Sequence, residues 1–389
     1  MSLRAALPVL LCAGLAGAQE APLDETGGRP PAPATMTAAE ARPALERSLG
    51  WLVRSQHEDG SWATPLIESL WEDNFALETY YAWQMASQGL AVLALLECEE
   101  TPERRAALDA GLRFLCSSRL PKRGSDWDVD YVWTALYGLV ATVRAEADPR
   151  YQGAEWRALI EGRGREFYAL LEHNQVPEGG WAYYDDPPFT QRPKWATSFC
   201  TALILPAVQR GLELGWGEDP AVLERAVSYV RRCALPNGAY AYDLSIIPRV
   251  GGESINHVKG SLGRIQVCNW GLRSVGDERI TLDRVREGLD AFFEEHRFLD
   301  VARMRPIPHE AYYANAGYFY LFAHYYAAEA IELLPPEERE AYHARLRPHL
   351  VKVQEKSGLS TDFLGTGYLD VAGTAFTALA LDAGLDPGP

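Results

Sequence analysis

The sequence predicts an all-α fold, an α/α toroid in which about twelve helices form an (α/α)6 double ring. Three observations predict it. One turn chemistry, Gln-x-x-x-Gly-x-Trp, occurs at Gln56–Trp62 and returns with identical spacing at Gln175–Trp181. Helices with one apolar stripe alternate along the chain with helices that are apolar or small on nearly every side. Strand signals are nearly absent.

The chain has 389 residues, a net charge of −16 and 47% hydrophobic residues, enough for a large core. Its start reads as an export signal, residues 1–18: Arg4, the apolar run Ala5 to Gly14, then the small residues Ala16-Gly17-Ala18. That run is too short for a permanent bilayer anchor, and no later stretch is an uninterrupted span of membrane length. The expectation is therefore a secreted or periplasmic protein without a transmembrane segment. Residues 19–36 are rich in Pro and Gly and read as a flexible leader. Folded structure is expected over 37–385, starting at the capping-box pattern Thr37-Ala-Ala-Glu40. Cys98, Cys116, Cys200, Cys233 and Cys268 would remain after export; their spacing is not that of a disulfide framework, and they read as small buried apolar residues. The acidic balance, with no clustered Lys/Arg face, excludes nucleic acid as a partner.

Striped helices are expected at Ala44–Ser55, Arg105–Ser117, Gly164–Asn174, Ala221–Cys233, Leu282–Glu295 and Glu337–Gln354. Enclosed ones are expected at Gln84–Leu96, Val132–Val143, Ser198–Val208, Gln266–Val275, Ala316–Leu333 and Gly373–Leu381. A helix with one apolar stripe belongs outside and one apolar all round must be enclosed, so the six pairs give an outer ring around an inner ring. The hairpins recur roughly every 57 residues. Eroded copies of the turn appear at Cys233–Tyr240 and Gln354–Ser360. In each intact copy, Gln ends an outer helix and can bond backbone groups of the neighbouring repeat. Gly supplies the left-handed geometry that stops the helix, and Trp seals the junction. These turn residues are read as scaffold.

With their L-x-W-L-type helices, these turns resemble the terpenoid cyclase and protein prenyltransferase β-subunit toroids, especially squalene-cyclase-like repeat proteins. The resemblance covers roughly Thr37 to Leu385 and implies a central cavity whose rim is built by loops feeding the inner helices. Cyclases of this kind carry Asp-x-Asp-Asp-Thr-Ala, whose middle Asp protonates an alkene. Here Asp128-Val129-Asp130-Tyr131 leads to Thr134-Ala135, so Asp130 matches the proton donor while Tyr131 replaces the next Asp. Prenyltransferases hold zinc in a pattern that Gly263 to Trp270 approaches. Cys268 aligns with the ligand cysteine, but Gln266 stands in place of the carboxylate, and an amide is a poor zinc ligand. His257 or His309 could complete such a site. The expectation is thus no cofactor, with zinc through Cys268 as the minority reading, and no working cyclase or prenyltransferase.

At the rim, aromatic residues mix with carboxylates. Asp128, Asp130, His309 and Asp370 are the candidate catalytic residues. Trp83, Tyr131, Trp133, Trp195, Arg264, Asn269, Trp270, Tyr313 and Asn315 are the candidate ligand-binding residues. Rings alone would line a pocket for a small hydrophobic molecule. Rings beside two facing carboxyl groups, about 5–9.5 Å apart, would suit a glycan chain. Asp128 and Asp130 could equally serve a helix start as caps. The leading reading is a toroid that binds a hydrophobic or extended ligand in its cavity. A carbohydrate-active hydrolase or lyase is the alternative, using Asp130 with Asp370 or Glu310. A scaffold that only binds a protein partner is the third.

Overall fold

The computed structural model describes residues 34–63, 76–123, 130–183, 195–244, 255–363 and 367–385. Thirteen α-helices and no strand are present among them. Six form an outer set: α1 (Ala38–Ser55), α3 (Pro102–Ser117), α5 (Ala154–Asn174), α7 (Ala221–Cys233), α9 (Leu282–Glu294) and α12 (Pro336–Val353). Six more form an inner set: α2 (Leu77–Glu97), α4 (Trp133–Ala147), α6 (Ser198–Glu213), α8 (Leu262–Ser274), α11 (Phe319–Ile331) and α13 (Gly367–Ala383). One short helix, α10 (Arg297–Asp300), follows α9. Each inner helix packs on the next, and α13 returns to α2, so the inner ring is closed. Helices α3, α5, α7, α9 and α12 each cover the inner helix that precedes them, and α1 covers α13. The double ring read from the sequence is the fold.

Local chemistry explains where helices start and which layer they join. At α1, Glu40 N–H donates to the Thr37 hydroxyl at 3.3 Å and Thr37 N–H to the Glu40 carboxylate at 2.9 Å, a complete capping box. The Thr101 and Thr281 hydroxyls cap α3 and α9 by accepting from Arg104 N–H and Arg284 N–H, without the reciprocal carboxylate bond. Gln84 to Leu96 of α2 are all buried, as an enclosed helix requires, whereas α7 buries only Val222, Ala226, Tyr229, Val230 and Cys233, one stripe. Helix α5 starts ten residues before its sequence-predicted start at Gly164, because its first turns are mostly exposed and show no regular stripe. None of the helices is long and apolar enough to cross a membrane.

The repeated turns fasten one repeat to the next. Gln56 donates to Ala107 C=O on α3 at 2.8 Å, Gln175 to Val222 C=O on α7 at 2.8 Å, and Gln354 to Ala44 C=O on α1 at 2.8 Å. Arg225 and Arg47, on the receiving helices, donate to the Gln175 and Gln354 side-chain oxygens and fix those amides. The Trp62 and Trp181 indoles donate to Leu52 and Leu171 C=O at 2.8 Å, and both rings are fully buried. Gly179 has φ +111°, and a Cβ there would lie 2.4 Å from Arg225 O, so no other residue fits. All five described cysteines are buried and unpaired.

Candidate functional site

Outer helices end, and inner helices begin, at the same end of the ring, and there the loops converge. Asp130 lies one turn before α4, its carbonyl accepting from Trp133 N–H at 3.0 Å. Its carboxylate accepts from the Trp83 indole of α2 at 2.6 Å. Trp83 in turn packs on Tyr368 of α13, with ring centroids 4.8 Å apart. The charge of Asp130 raises the pKa of Cys200 on the neighbouring α6, of Tyr242 before α8 and of Tyr318 before α11, so these groups lie within electrostatic reach of one another.

Around the same end of the inner ring stands a cluster of phenols. The Tyr183 and Tyr242 hydroxyls are hydrogen-bonded to each other, and Tyr242 packs on Phe199 at 5.7 Å. Burial pushes the phenols of Tyr183, Tyr242 and Tyr318 up, yet each keeps part of its surface accessible. Groups that are both deep and partly accessible line a space; they do not fill a core. Arg264 stands over the Tyr242 ring at 5.4 Å and donates to the carbonyls of Tyr240 and Ile255. Burial lowers its guanidinium to about 10, and the neighbouring phenol and thiols work against that shift.

His309 completes the cluster. Its Nδ1 lies 2.7 Å from Ala314 C=O, an acceptor only, so Nδ1 carries the proton. Nε2 then accepts from the Tyr318 hydroxyl at 2.9 Å. Burial lowers the His309 pKa; the bond to Ala314 C=O opposes that shift and the nearby Arg264 charge adds to it. His309, Tyr313 and Ala314 all have positive φ, a strained loop that fixes the imidazole against Tyr318.

Below the mouth, aromatic rings from opposite walls meet. Phe199 of α6 lies 6.0 Å from Phe322 of α11, Phe322 lies 6.1 Å from Phe376 of α13, and Phe376 lies 5.7 Å from Tyr137 of α4. This belt lies between the mouth residues and the far end, where Trp270 packs on Tyr326 at 5.3 Å. Burial raises Glu329 to about 7, against the pull of Arg144.

No protein-family model matches the chain, and neither does any curated protein sequence. Solved structures do match. The type II terpene cyclase MstE from Scytonema, in a variant bound to geranylgeranyl dihydroxybenzoate, is similar over 90% of this chain and 99% of that one, with 12% identity and a TM-score of 0.52. An inactive α-1,6-mannanase variant from Salegentibacter, bound to α-1,6-mannotetrose, covers 90% and 99%, with 10% identity and a TM-score of 0.61. The Lin0763 protein of Listeria innocua covers 90% and 97%, with 13% identity and a TM-score of 0.56. The fold is an α/α toroid, one that terpene cyclases and mannanases share. At these identities the likeness is one of fold.

Within the toroid, the sequence-predicted residues divide into groups. Asp128 lies outside the described residues. Asp130, Trp83, Arg264 and His309 come together at the mouth. Trp133, at the start of α4, stacks on Tyr137, and Trp195 packs edge-on against Tyr183, so both border the same space; Tyr131 is half-buried in the turn after Asp130. Asp370, in the first turn of α13, sits beside Asp362 and raises its pKa. Trp270 lines the lumen at its far end. Tyr313 packs on His257 at 4.9 Å with Lys259 over its ring, at the outer rim. Asn269 accepts from Tyr240 and packs against Gly288 of α9, between the two rings. Asn315 ties its loop to the carbonyls of Lys259 and Tyr312. Cys268 is buried, its thiol donating to Ser198 C=O; burial holds its pKa well above the ordinary value. Gln266 bonds Gly288 of the outer ring, and the one group of three metal-ligating side chains among the described residues lies elsewhere.

Tyr242 and Tyr318 were not singled out by the sequence. Tyr242 had a signal: Tyr183 and Tyr242 each stand two residues after the buried aromatic of their turn, Trp181 and Tyr240. Tyr318 sits in an aromatic-rich run, where packing and lining residues look alike.

Proposed function

We propose that the toroid holds a hydrophobic, extended ligand of the isoprenoid or acyl type at the mouth of its lumen, with Asp130 presented to it. One observation supports this reading: the Asp130 carboxylate, held by the Trp83 indole, lies within electrostatic reach of a cluster of partly accessible phenol rings, one of which packs on Phe199. Rings supply apolar contact area and a favourable surface for positive charge developing on an unsaturated chain. The carboxyl group is the acid–base group available to such a chain. His309 and Tyr318 sit in that cluster as a coupled acceptor and donor. A glycan chain is the competing occupant, because aromatic walls also stack on sugar faces and a structural neighbour is an α-1,6-mannanase. Export directed by residues 1–18 belongs to the same proposal, and a mature N-terminus at Gln19 in the exported protein tests it.

The experiment is mass spectrometry of what co-purifies with the full chain, with quenching of tryptophan fluorescence by geranylgeraniol as the direct probe. A retained prenyl or acyl chain, and quenching weakened by Asp130→Asn and by Tyr242→Leu, are the expected results. A retained oligosaccharide with no response to geranylgeraniol would give the site to the glycan reading. Equal binding by the Asp130→Asn variant removes Asp130 from the site.

A further inference from the structure

Outside the lumen, three histidines meet in the wall between inner and outer rings. Phe319, Phe322 and Tyr326 of α11 point to the axis; Tyr320 and His324, on the other face of the same helix, point to α12. There His324 meets His296, which precedes α10, and His349 of α12. His296 and His324 are buried and His349 is partly accessible. One nitrogen from each ring lies within 4.8 Å of the others.

The hydrogen bonds around these rings fix where the protons are. His324 Nδ1 lies 2.6 Å from Tyr320 C=O, an acceptor only, so Nδ1 carries hydrogen and Nε2 is left with a lone pair. His296 Nδ1 lies 3.2 Å from the Asp300 carboxylate, also an acceptor, so in the neutral ring its Nε2 is bare as well. Those two Nε2 atoms face each other at 2.9 Å. Two lone pairs at that distance repel unless something positive lies between them, either a proton on His296 or a metal cation. The third imidazole, His349, lies against His296 at a tilt of 30°, with ring centroids 3.6 Å apart. The carboxylate on the far nitrogen of His296 and the carbonyl on that of His324 are the support that metal-ligating histidines ordinarily have. Zinc bonds of about 2.0–2.1 Å in tetrahedral geometry place ligand nitrogens roughly 3.3 Å apart, between the separations found here. Phe292 packs edge-on against both His296 and His324 and walls the site. Asp300, partly exposed, and His349 give it a way in from solvent.

We propose that His296, His324 and His349 bind a zinc-class divalent transition-metal ion, with Asp300 holding the His296 tautomer and a fourth coordination position open to water. Such an ion ties α9–α10, α11 and α12 together and anchors the segment leading to His309. It is independent of the lumen and of Cys268.

The test uses the full chain, stripped with a chelator and titrated with Co²⁺ and then Zn²⁺. One equivalent of Co²⁺ with visible d–d absorption, displaced by Zn²⁺, is expected, together with a Zn²⁺-dependent rise in Tm. His349→Ala should abolish the absorption while leaving the far-UV circular dichroism unchanged, and Asp300→Asn should weaken binding by about 10–100-fold. If His324→Ala does not fold, His349→Ala decides, because that side chain is partly exposed. No Co²⁺ band and no effect of Zn²⁺ on Tm in the wild-type chain would overturn the proposal. So would equal affinity in His349→Ala, which would leave the pair as an imidazolium–imidazole hydrogen bond.

Discussion

The side-chain amide of Gln354 donates to the carbonyl of Ala44 at 2.8 Å, joining the last outer helix to the first across 310 residues of sequence. The same nitrogen lies 2.8 Å from the Ser48 hydroxyl. The ring is thus closed by the contact that also links its consecutive repeats.

Gln354→Ala removes the donor and leaves Ser48 and the α1 carbonyl short of a partner in a partly buried seam. A loss of about 1–3 kcal/mol is expected in denaturant unfolding. Gln175→Ala should cost a similar amount. A neutral Gln354→Ala would mean that helix packing alone closes the ring.

Gly179→Ala and Gly238→Ala separate two costs. Both glycines have positive φ, but a Cβ at Gly179 meets Arg225 O at 2.4 Å whereas one at Gly238 meets nothing within 4 Å. Gly238→Ala should cost only the backbone term, about 1–2 kcal/mol, and Gly179→Ala distinctly more. Equal losses in thermal melts would mean that the α7 backbone moves aside.

Trp83→Phe keeps the ring against Tyr368 but deletes the N–H that donates to Asp130. Fold and Tm should change little. Geranylgeraniol binding should weaken by about tenfold, the scale of one charge-assisted hydrogen bond. Unchanged binding would show that the indole does not set the position of the carboxylate.

Asp362 predicts a pH dependence. Burial, reinforced by the charge of Asp370, raises its carboxyl to about 7, although Leu321 N–H donates to it at 2.8 Å. The folded state therefore binds this proton more tightly than the unfolded chain does, where the ordinary value is 3.8. Its contribution to stability is complete below that ordinary value and is lost as pH rises through about 7. Asp362→Asn keeps an acceptor for Leu321 and cannot ionise. Relative to wild type it should gain stability between pH 5 and 8, on the order of a few kcal/mol. A parallel pair of Tm–pH curves would contradict this.

The ring was legible in the sequence because its joints are local. Gln56, Gly60 and Trp62 lie within one turn, and only a glycine can adopt φ +86° while touching Ala110 of the next outer helix. Helix layer was legible from periodicity, as the contrast between α2 and α7 shows. The site was read less fully, because its parts come from different repeats. Asp130 stood out through its spacing, but Tyr242 and Tyr318, which feel its charge, come from other repeats far along the chain. Asn269 occurs beside Trp270 in sequence, yet a helix turns neighbours to different sides, and it serves the seam with α9. The three histidines follow no ligand spacing: His296 and His324 are 28 residues apart and on separate elements.

The belt formed by Phe199, Phe322, Phe376 and Tyr137 has a kinetic consequence. In the proposed binding mode, a chain that enters beside Asp130 meets these rings and leaves by the opening it came in. The depth above the belt also sets a ceiling on how much of a long chain can be swallowed, leaving any excess trailing into solvent.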